Sequence, residues 1–333
     1  MGLRGYVIKR TINTIILVLF TVTLNFIIFQ LIPGEQGSIQ AFTSPGHIPD
    51  PKIIDQLRQQ YGYYDPLPVR YFKYMEALFT FKFGVSYDTG KYVIDDFNNS
   101  GRLYNTLTLL GVSTLLALVI GVFLGVYTAR KRGKPFDSFW VSASLVTYSL
   151  PTFWIGLVLI LIFAIGLHWF PTGGVIPFEW INAASRPDLA TQIVVRMQHL
   201  FLPALTLTLF SYGGFLLLAR ATMIETLTED YITTARAKGL SERTILFKHA
   251  LKNASLPIVT SAALNFGFIL SGAIITETVF NWNGLGLWIW QAINFKDYPV
   301  MQFIFFIGAL TVIAANFISD LMYGWLDPRI KYD

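Results

Sequence analysis

Cysteine is absent from this 333-residue chain, which removes disulfide frameworks, thiol nucleophiles and Cys-based metal sites from consideration. Charge is scarce as well. Only 14% of residues are charged, against 53% hydrophobic and 16% aromatic, a composition that excludes an ordinary soluble domain and reads as a membrane protein. The four histidines, His47, His168, His199 and His249, stand far apart and never in an H-E-x-x-H pattern, so a metalloprotease is excluded and no metal site is expected. No G-x-x-x-x-G-K-[ST] phosphate cradle and no G-x-S-x-G nucleophile turn occurs. The formal net charge is +5, yet the basic residues flank apolar segments instead of forming a stripe on a soluble face, which argues against nucleic acid as a partner.

What the chain has instead is long apolar runs. Six blocks, about Ile12–Ile32, Leu103–Thr128, Phe139–Leu167, Leu200–Ala219, Ile258–Val279 and Val300–Leu326, are of spanning length and predict multi-pass insertion in a lipid bilayer. The first is read as a retained span. A signal peptide would have a shorter apolar core and a small-residue cleavage site, whereas Pro33-Gly34-Glu35-Gln36 follows here. Six spans place both termini on one side, and the loop charges say which. Arg4, Lys9 and Arg10, the Arg130-Lys131-Arg132-Gly133-Lys134 turn, and six Lys/Arg between Arg220 and Pro257 lie on that side, whereas the two short opposite loops hold Arg186, Arg196 and Lys296. The bias predicts cytoplasmic termini in a cell membrane protein.

These readings divide the chain into residues 1–32 (amino terminus and first span), an external loop domain at 33–102, a five-span core at 103–326 with a cytoplasmic loop at 220–257, and a tail at 327–333. The loop domain is polar, carries Pro45, Pro49, Pro51, Pro66 and Pro68, and is read as a folded cap on the spans.

Between the fourth and fifth blocks lies a polar stretch, Asp230 to Arg243, that reads as two short helices and a turn. Thr226 and Glu229 have capping-box spacing, predicting a helix from Thr226 through Ala235 and Ala237 until Gly239 supplies a left-handed terminus. A second helix is expected from Ser241, with Glu242 in its first turn, Lys248, His249 and Lys252 at its far end, and Pro257 closing it. One reading is an elbow presented to a partner, with small Ala235 and Ala237 letting another surface come close. The plainer reading is an ordinary loop helix between two spans.

This stretch resembles the coupling loop, or EAA loop, of permease subunits in ATP-driven (ABC) importers, specifically the oligopeptide/dipeptide branch. The resemblance is carried by the run from Asp230 to Ser241, D-Y-I-T-T-A-R-A-K-G-L-S. Thr233-Thr234-Ala235 stands for the family's Glu-Ala-Ala, and Leu256-Pro257 for its Leu-Pro. Ser149 to Leu157 is similar to S-x-P-x-F-W-x-G-L of the third span. Glu277-Thr278-Val279-Phe280 with Gly284-Leu285-Gly286 is similar to E-T-V-F-x-x-P-G-L-G, although Asn283 replaces the proline. Further matches are Leu57 to Gly62, Asp65-Pro66-Leu67, Phe83 to Ser86 and the Asp327-Pro328-Arg329-Ile330 tail.

The resemblance implies an all-α membrane protein of six transmembrane helices with a cytoplasmic coupling-helix elbow, like a type I ABC importer permease. It implies a homologous second permease subunit, two ATPase subunits and an extracytoplasmic substrate-binding protein as partners, with peptides as cargo, or oligosaccharides or nickel in the same machine. It implies a non-catalytic subunit that binds no cofactor, ATP and Mg residing on the partner subunits. The coupling residues it implies are Asp230, Tyr231, Thr233, Thr234, Ala235, Arg236, Ala237, Lys238, Gly239, Leu240 and Ser241, with Leu256 and Pro257. A membrane-embedded enzyme would need a catalytic constellation, and a passive channel would have no use for the elbow.

Polar and aromatic residues in the spans are candidate pathway groups: Ser149, Pro151, Trp154, Asn265, Glu277, Trp282 and Trp288, with Asn25, Asn316, Asp320 and Trp290 beside them. Their plainer readings are helix–helix hydrogen bonds for the asparagines, a partner to the turn at Gly284–Gly286 for Glu277, and an interfacial aromatic belt for the tryptophans. Arg220, near an inner helix end, is expected to reach toward the headgroups.

Overall fold

The computed structural model describes residues 3–31, 59, 64–181, 187–267 and 273–326. In chain order the helices are α1 (Leu3–Phe26, running on as a π turn at Ile27–Leu31), α2 (Leu67–Phe79), α3 (Val93–Ser100), α4 (Arg102–Arg130), α5 (Pro135–Ser149), α6 (Thr152–Leu159, running on as a π turn at Ile160–Gly166) and α7 (Leu189–Leu227). There follow α8 (Asp230–Ala237), α9 (Glu242–Thr244), a π turn at Ile245–Ala250, α10 (Leu251–Gly267), α11 (Ile274–Val279), α12 (Leu285–Asn294) and α13 (Tyr298–Leu326). Among the described residues the only β pairing is an isolated bridge between Val85 and Tyr92. The described part of the protein is all-α.

The chain divides into two compact units, Met1–Tyr104 with Leu270–Ile274 and Gly284–Asp333, and Asn105–Ile269 with Ile275–Asn283. In the first unit the described part of the long polar loop shares a core with α1, α12 and α13. Its α2 starts at Leu67 after Pro66, with Pro68 in the first turn, where a missing N–H costs nothing. The Tyr74 hydroxyl donates to Asn25 Oδ1 at 2.9 Å, and Asn25 Nδ2 donates to the Gln302 carbonyl at 3.3 Å, so this asparagine joins two long helices and the loop. Phe83 packs edge-on against Phe303, with ring centroids 4.9 Å apart. Asp297, at the start of α13, accepts from the Ser86 hydroxyl at 2.5 Å, and burial pushes its carboxyl above the ordinary value despite that bond.

The second unit is built on close backbone approach. A Cβ placed on Gly121 of α4 would lie 2.6 Å from both Phe215 Cβ and the Tyr212 carbonyl oxygen of α7. One placed on Gly125 would lie 2.6 Å from Ala219 Cβ and 2.7 Å from the Leu216 carbonyl oxygen. Small residues at such contacts are how helices pack where lipid removes the hydrophobic drive between them.

Among the described residues, three helical segments, Gly5–Leu31, Arg102–Arg130 and Leu189–Leu227, are long and apolar enough to cross a membrane. The sequence reading takes Phe139–Leu167 as one apolar block. At Leu150-Pro151 the structure breaks it into α5 and α6, bent by 101°. Proline has no N–H to continue the ladder, and it holds Leu150 extended at φ −81°, ψ 138°. Counted as one span, this pair makes four. Within the last block the shorter apolar helix is Tyr298–Ala314, and in the fifth block residues 268–272 lie outside the described residues.

The contact geometry separates two glycines of the same helix. Gly125→Ala should lower the unfolding midpoint of the purified protein, at a cost of about 1–3 kcal/mol from overpacking. Gly111→Ala, with nothing within 4 Å of the new Cβ, should leave it unchanged or raise it. Equal midpoints in a thermal melt would show that α4 and α7 yield at the contact.

Candidate functional site

Asp230 to Ser241 folds as an elbow. The buried face of α8 is Ile232 and Ala235, one helical turn apart, which enter a core with Val126 and Ala129 of α4, Met223 of α7, and Ile245, Leu246, Ala250 and Ala254 of the following segment. Burying a side chain like Ile232, which has no exposed surface, stabilises by about 1.5–3 kcal/mol. The helix ends as expected at Gly239, whose φ is +75°. The Gly239 amide donates to the Arg236 carbonyl at 2.9 Å and that of Leu240 to the Ala235 carbonyl at 3.3 Å, which together form a Schellman terminus. Ser241 then caps the next helix, accepting from the Thr244 amide at 3.3 Å, with Glu242 in the first turn. Asn253 Nδ2 donates to the Tyr231 hydroxyl at 2.7 Å and braces the elbow against α10.

Four expectations for this segment are corrected. The helix does not start at Thr226, which is the buried end of α7 with its hydroxyl donating to the Thr222 carbonyl; α8 starts at Asp230 after a two-residue turn. The capping-box spacing lost to an uninterrupted helix whose own bonds already satisfied those amides. Ala235 faces its own chain, so of the two small residues Ala237 alone lies on the exposed side. Pro257 does not close the segment but lies inside α10, so Lys248, His249 and Lys252 are mid-helix and not at a carboxyl end. Finally, Arg220 is held by Asp137 instead of extending to headgroups.

The exposed surface of the elbow comprises Tyr231, Thr233, Thr234, Arg236, Ala237, Lys238, Gly239, Leu240 and Ser241, with Asp230 at its start. Tyr231 and Leu240 are 38% and 40% exposed, apolar groups on an otherwise polar surface. Arg236 Nε and Glu242 Oε1 pair at 3.2 Å across the turn. Leu256 and Pro257 are exposed on α10.

Of the pathway candidates, the structure brings Glu277 and Trp282 together, the Trp282 amide donating to the Glu277 carbonyl at 2.7 Å. Ser149 and Pro151 are exposed at the α5–α6 bend, and Trp154 is 47% exposed on α6. The side chain of Asn265 lies outside the described residues, as does that of Asp320. Glu277 is fully buried in the second unit and accepts from the Thr106 hydroxyl at 2.9 Å, a partner that sequence reasoning missed. Trp282 is also fully buried there. Its Nε1 donates to the Asn105 carbonyl at 3.0 Å, while Asn105 Nδ2 donates to the Asn283 carbonyl at 2.6 Å and Arg196 donates to Asn105 Oδ1. Trp288 is buried in the first unit, with the Arg102 guanidinium 4.5 Å from its ring centroid, and Trp290 is 45% exposed.

Comparison with known proteins gives one consistent result. The family described as "Binding-protein-dependent transport system inner membrane component" matches residues 121–332, and the one described as "Binding-prot-dependent transport system membrane comp, N-term" matches residues 3–107. The chain is 36% identical over 332 residues to the oligopeptide transport system permease protein AppB of Bacillus subtilis, covering 98% of this chain and 99% of that relative. It is 35% identical to the di/tripeptide transport system permease protein DppB of Pseudomonas aeruginosa, covering 98% of each. It is 33% identical to the glutathione transport system permease protein GsiC of Salmonella paratyphi A, covering 98% of this chain and 99% of the relative.

Ser241→Ala removes the side-chain cap and should weaken the start of α9 by about 1 kcal/mol. Hydrogen exchange should then speed up at residues 242–246 and stay unchanged in α4. Unchanged exchange in both regions would mean that the cap contributes nothing measurable.

Proposed function

Because this chain belongs to the family of inner membrane components of binding-protein-dependent transport systems, and is a permease subunit of such an importer, we propose that the elbow from Asp230 to Ser241 is where an ATPase partner pushes on it. The observation that carries this reading is the elbow itself: a short exposed helix ended by a left-handed glycine and joined to α7 by two residues. The chain has no phosphate cradle of its own, so ATP and Mg belong to two separate ATPase subunits, and hydrolysis reaches this protein as rigid-body displacement.

The full machine on this reading contains six spans in this chain, a homologous second permease subunit and an external binding protein that delivers the cargo. The translocation pathway lies between the permeases. The relatives named for oligopeptide, di/tripeptide and glutathione transport favour peptides as cargo. The α5–α6 bend, with Ser149, Pro151 and Trp154 exposed, is the part of the pathway set best placed to meet a substrate. Burial of Glu277, Trp282 and Trp288 favours a structural contribution from those three.

The loop charges support a topology in which the elbow and both termini face the cytoplasm. The chain has no native cysteine, so a Cys introduced by Ser241→Cys gives a clean probe. An impermeant maleimide should label it only after the membrane is opened, and labelling from outside intact cells would invert the topology.

The elbow itself is tested at Gly239. A β-branched residue at φ +75° costs on the order of 1–2 kcal/mol locally and misdirects the chain into Leu240 and Ser241, too little to unfold the helices but enough to misplace the docking surface. Gly239→Val should reach the membrane in near-normal amount, lose ATPase association or stimulation, and abolish uptake. Normal uptake per ATP in reconstituted complexes containing the binding protein would reject the elbow as the coupling site.

A further inference from the structure

We infer that Arg220 and Asp137 form an ionic joint that passes movement of the elbow to the bent α5–α6 pair, which makes both of them positioning residues for transport; this rests on the coupling reading above. Arg220 Nε donates to Asp137 Oδ1 at 2.6 Å and Nη2 to Oδ2 at 2.8 Å, a two-pronged contact that fixes orientation as well as distance. The Gly133 amide donates to the same Oδ2 at 2.9 Å. One carboxylate therefore fastens three elements: α7, the start of α5, and the turn that links α4 to α5.

The location of this contact suits transmission. Arg220 stands seven residues before the end of α7, and the two linking residues are held by bonds from the Thr228 amide to the Glu225 carbonyl and from the Glu229 amide to the Thr226 carbonyl, both 3.2 Å. The elbow is thus a bonded continuation of α7 and not a loose tether. Farther along α7, Gly213 lies against α5, where an added Cβ would be 3.0 Å from the Ser144 carbonyl oxygen. Beyond Ser149 comes the 101° bend, and α6 reaches Phe280, whose ring would lie 3.0 Å from a Cβ on Gly156.

Apolar helix faces slide past one another at little cost. A charge pair whose Asp137 side chain is 6% exposed cannot, because parting it strands a carboxylate without its counter-charge. Displacement of α7 at its inner end therefore carries α5 with it.

The test uses the complete complex, with its ATPase subunits and binding protein, in liposomes. Three quantities are measured: co-purification of the ATPases, hydrolysis, and uptake per ATP. In Arg220→Gln the ATPases should remain bound and active while uptake per ATP falls roughly 5- to 150-fold, the usual span of coupling between two sites. Arg220→Lys, which keeps the charge but not the fork, should fall between. Where a single variant is scarce in the membrane, the neutral pair Asp137→Asn with Arg220→Gln leaves no buried lone charge and should restore abundance without restoring coupling.

Normal uptake per ATP in the neutral pair overturns the joint and leaves a folding clamp, as does failure of that pair to assemble. Loss of ATPase association in Arg220→Gln also overturns it, since the defect would then lie in the elbow. Failure of the coupling reading itself is told apart by Gly239→Val transporting normally.

Discussion

Gly121 and Gly125 present no side chain to α7, so α4 comes directly against the α7 backbone and the Cβ atoms of Phe215 and Ala219. In lipid there is little hydrophobic reward for pressing two apolar helices together, and dispersion over a close, well-matched contact has to supply it. The contact also brings Val126 and Ala129 beside Met223. Those side chains form the floor on which Ile232 and Ala235 of the elbow sit. An exposed eight-residue helix is far too short to be stable alone, and it persists here because two of its residues are buried in a core made by longer helices.

The elbow therefore divides its residues between two tasks. Ile232 and Ala235 hold it to the chain, whereas Tyr231, Thr233, Thr234, Lys238 and Leu240 stay on the exposed side. Gly239 and Ser241 set the turn, one by accepting a left-handed backbone and the other by satisfying an amide at the next helix start. Because the turn is made of local bonds, its geometry survives displacement of the whole segment, which a rigid-body stroke requires.

Two groups of bonded polar side chains stand toward opposite ends of α4, and between them the Thr208 hydroxyl of α7 donates to the Ser113 carbonyl at 3.4 Å. Asn105, Thr106, Arg196, Glu277 and Trp282 bond to one another or to nearby backbone around the start of α4, and Asp137 with Arg220 near its end. Asn105 and Val126 are separated by roughly 30 Å at the rise of an α-helix. Both groups join separate stretches of chain, and each would be expensive to open in a low-dielectric setting. Stiffness at the two ends, with a proline-broken α5–α6 pair between, suits a body that moves as pieces instead of bending smoothly.

Several features were legible in the sequence because they depend on local chemistry. Block length and composition marked long apolar helices, and the Gly239–Ser241 pair marked a helix end and a helix start that the structure contains. The run from Asp230 to Ser241 sufficed to place the chain near its family. Other decisions required neighbours distant in sequence. Thr226 had a capping spacing, but α7 continued through it, since an unbroken helix already satisfied its amides. Pro257 had the look of a stop and was absorbed inside α10. Ala235 turned inward because Val126, Met223 and Leu246 offered it a core, and Arg220 found Asp137, 83 positions away, instead of headgroups. Local spacing determines which backbone conformations a segment can adopt. Which of its faces is buried, and which charge answers which, is settled only when separate helices come within contact, and that is a property of tertiary structure.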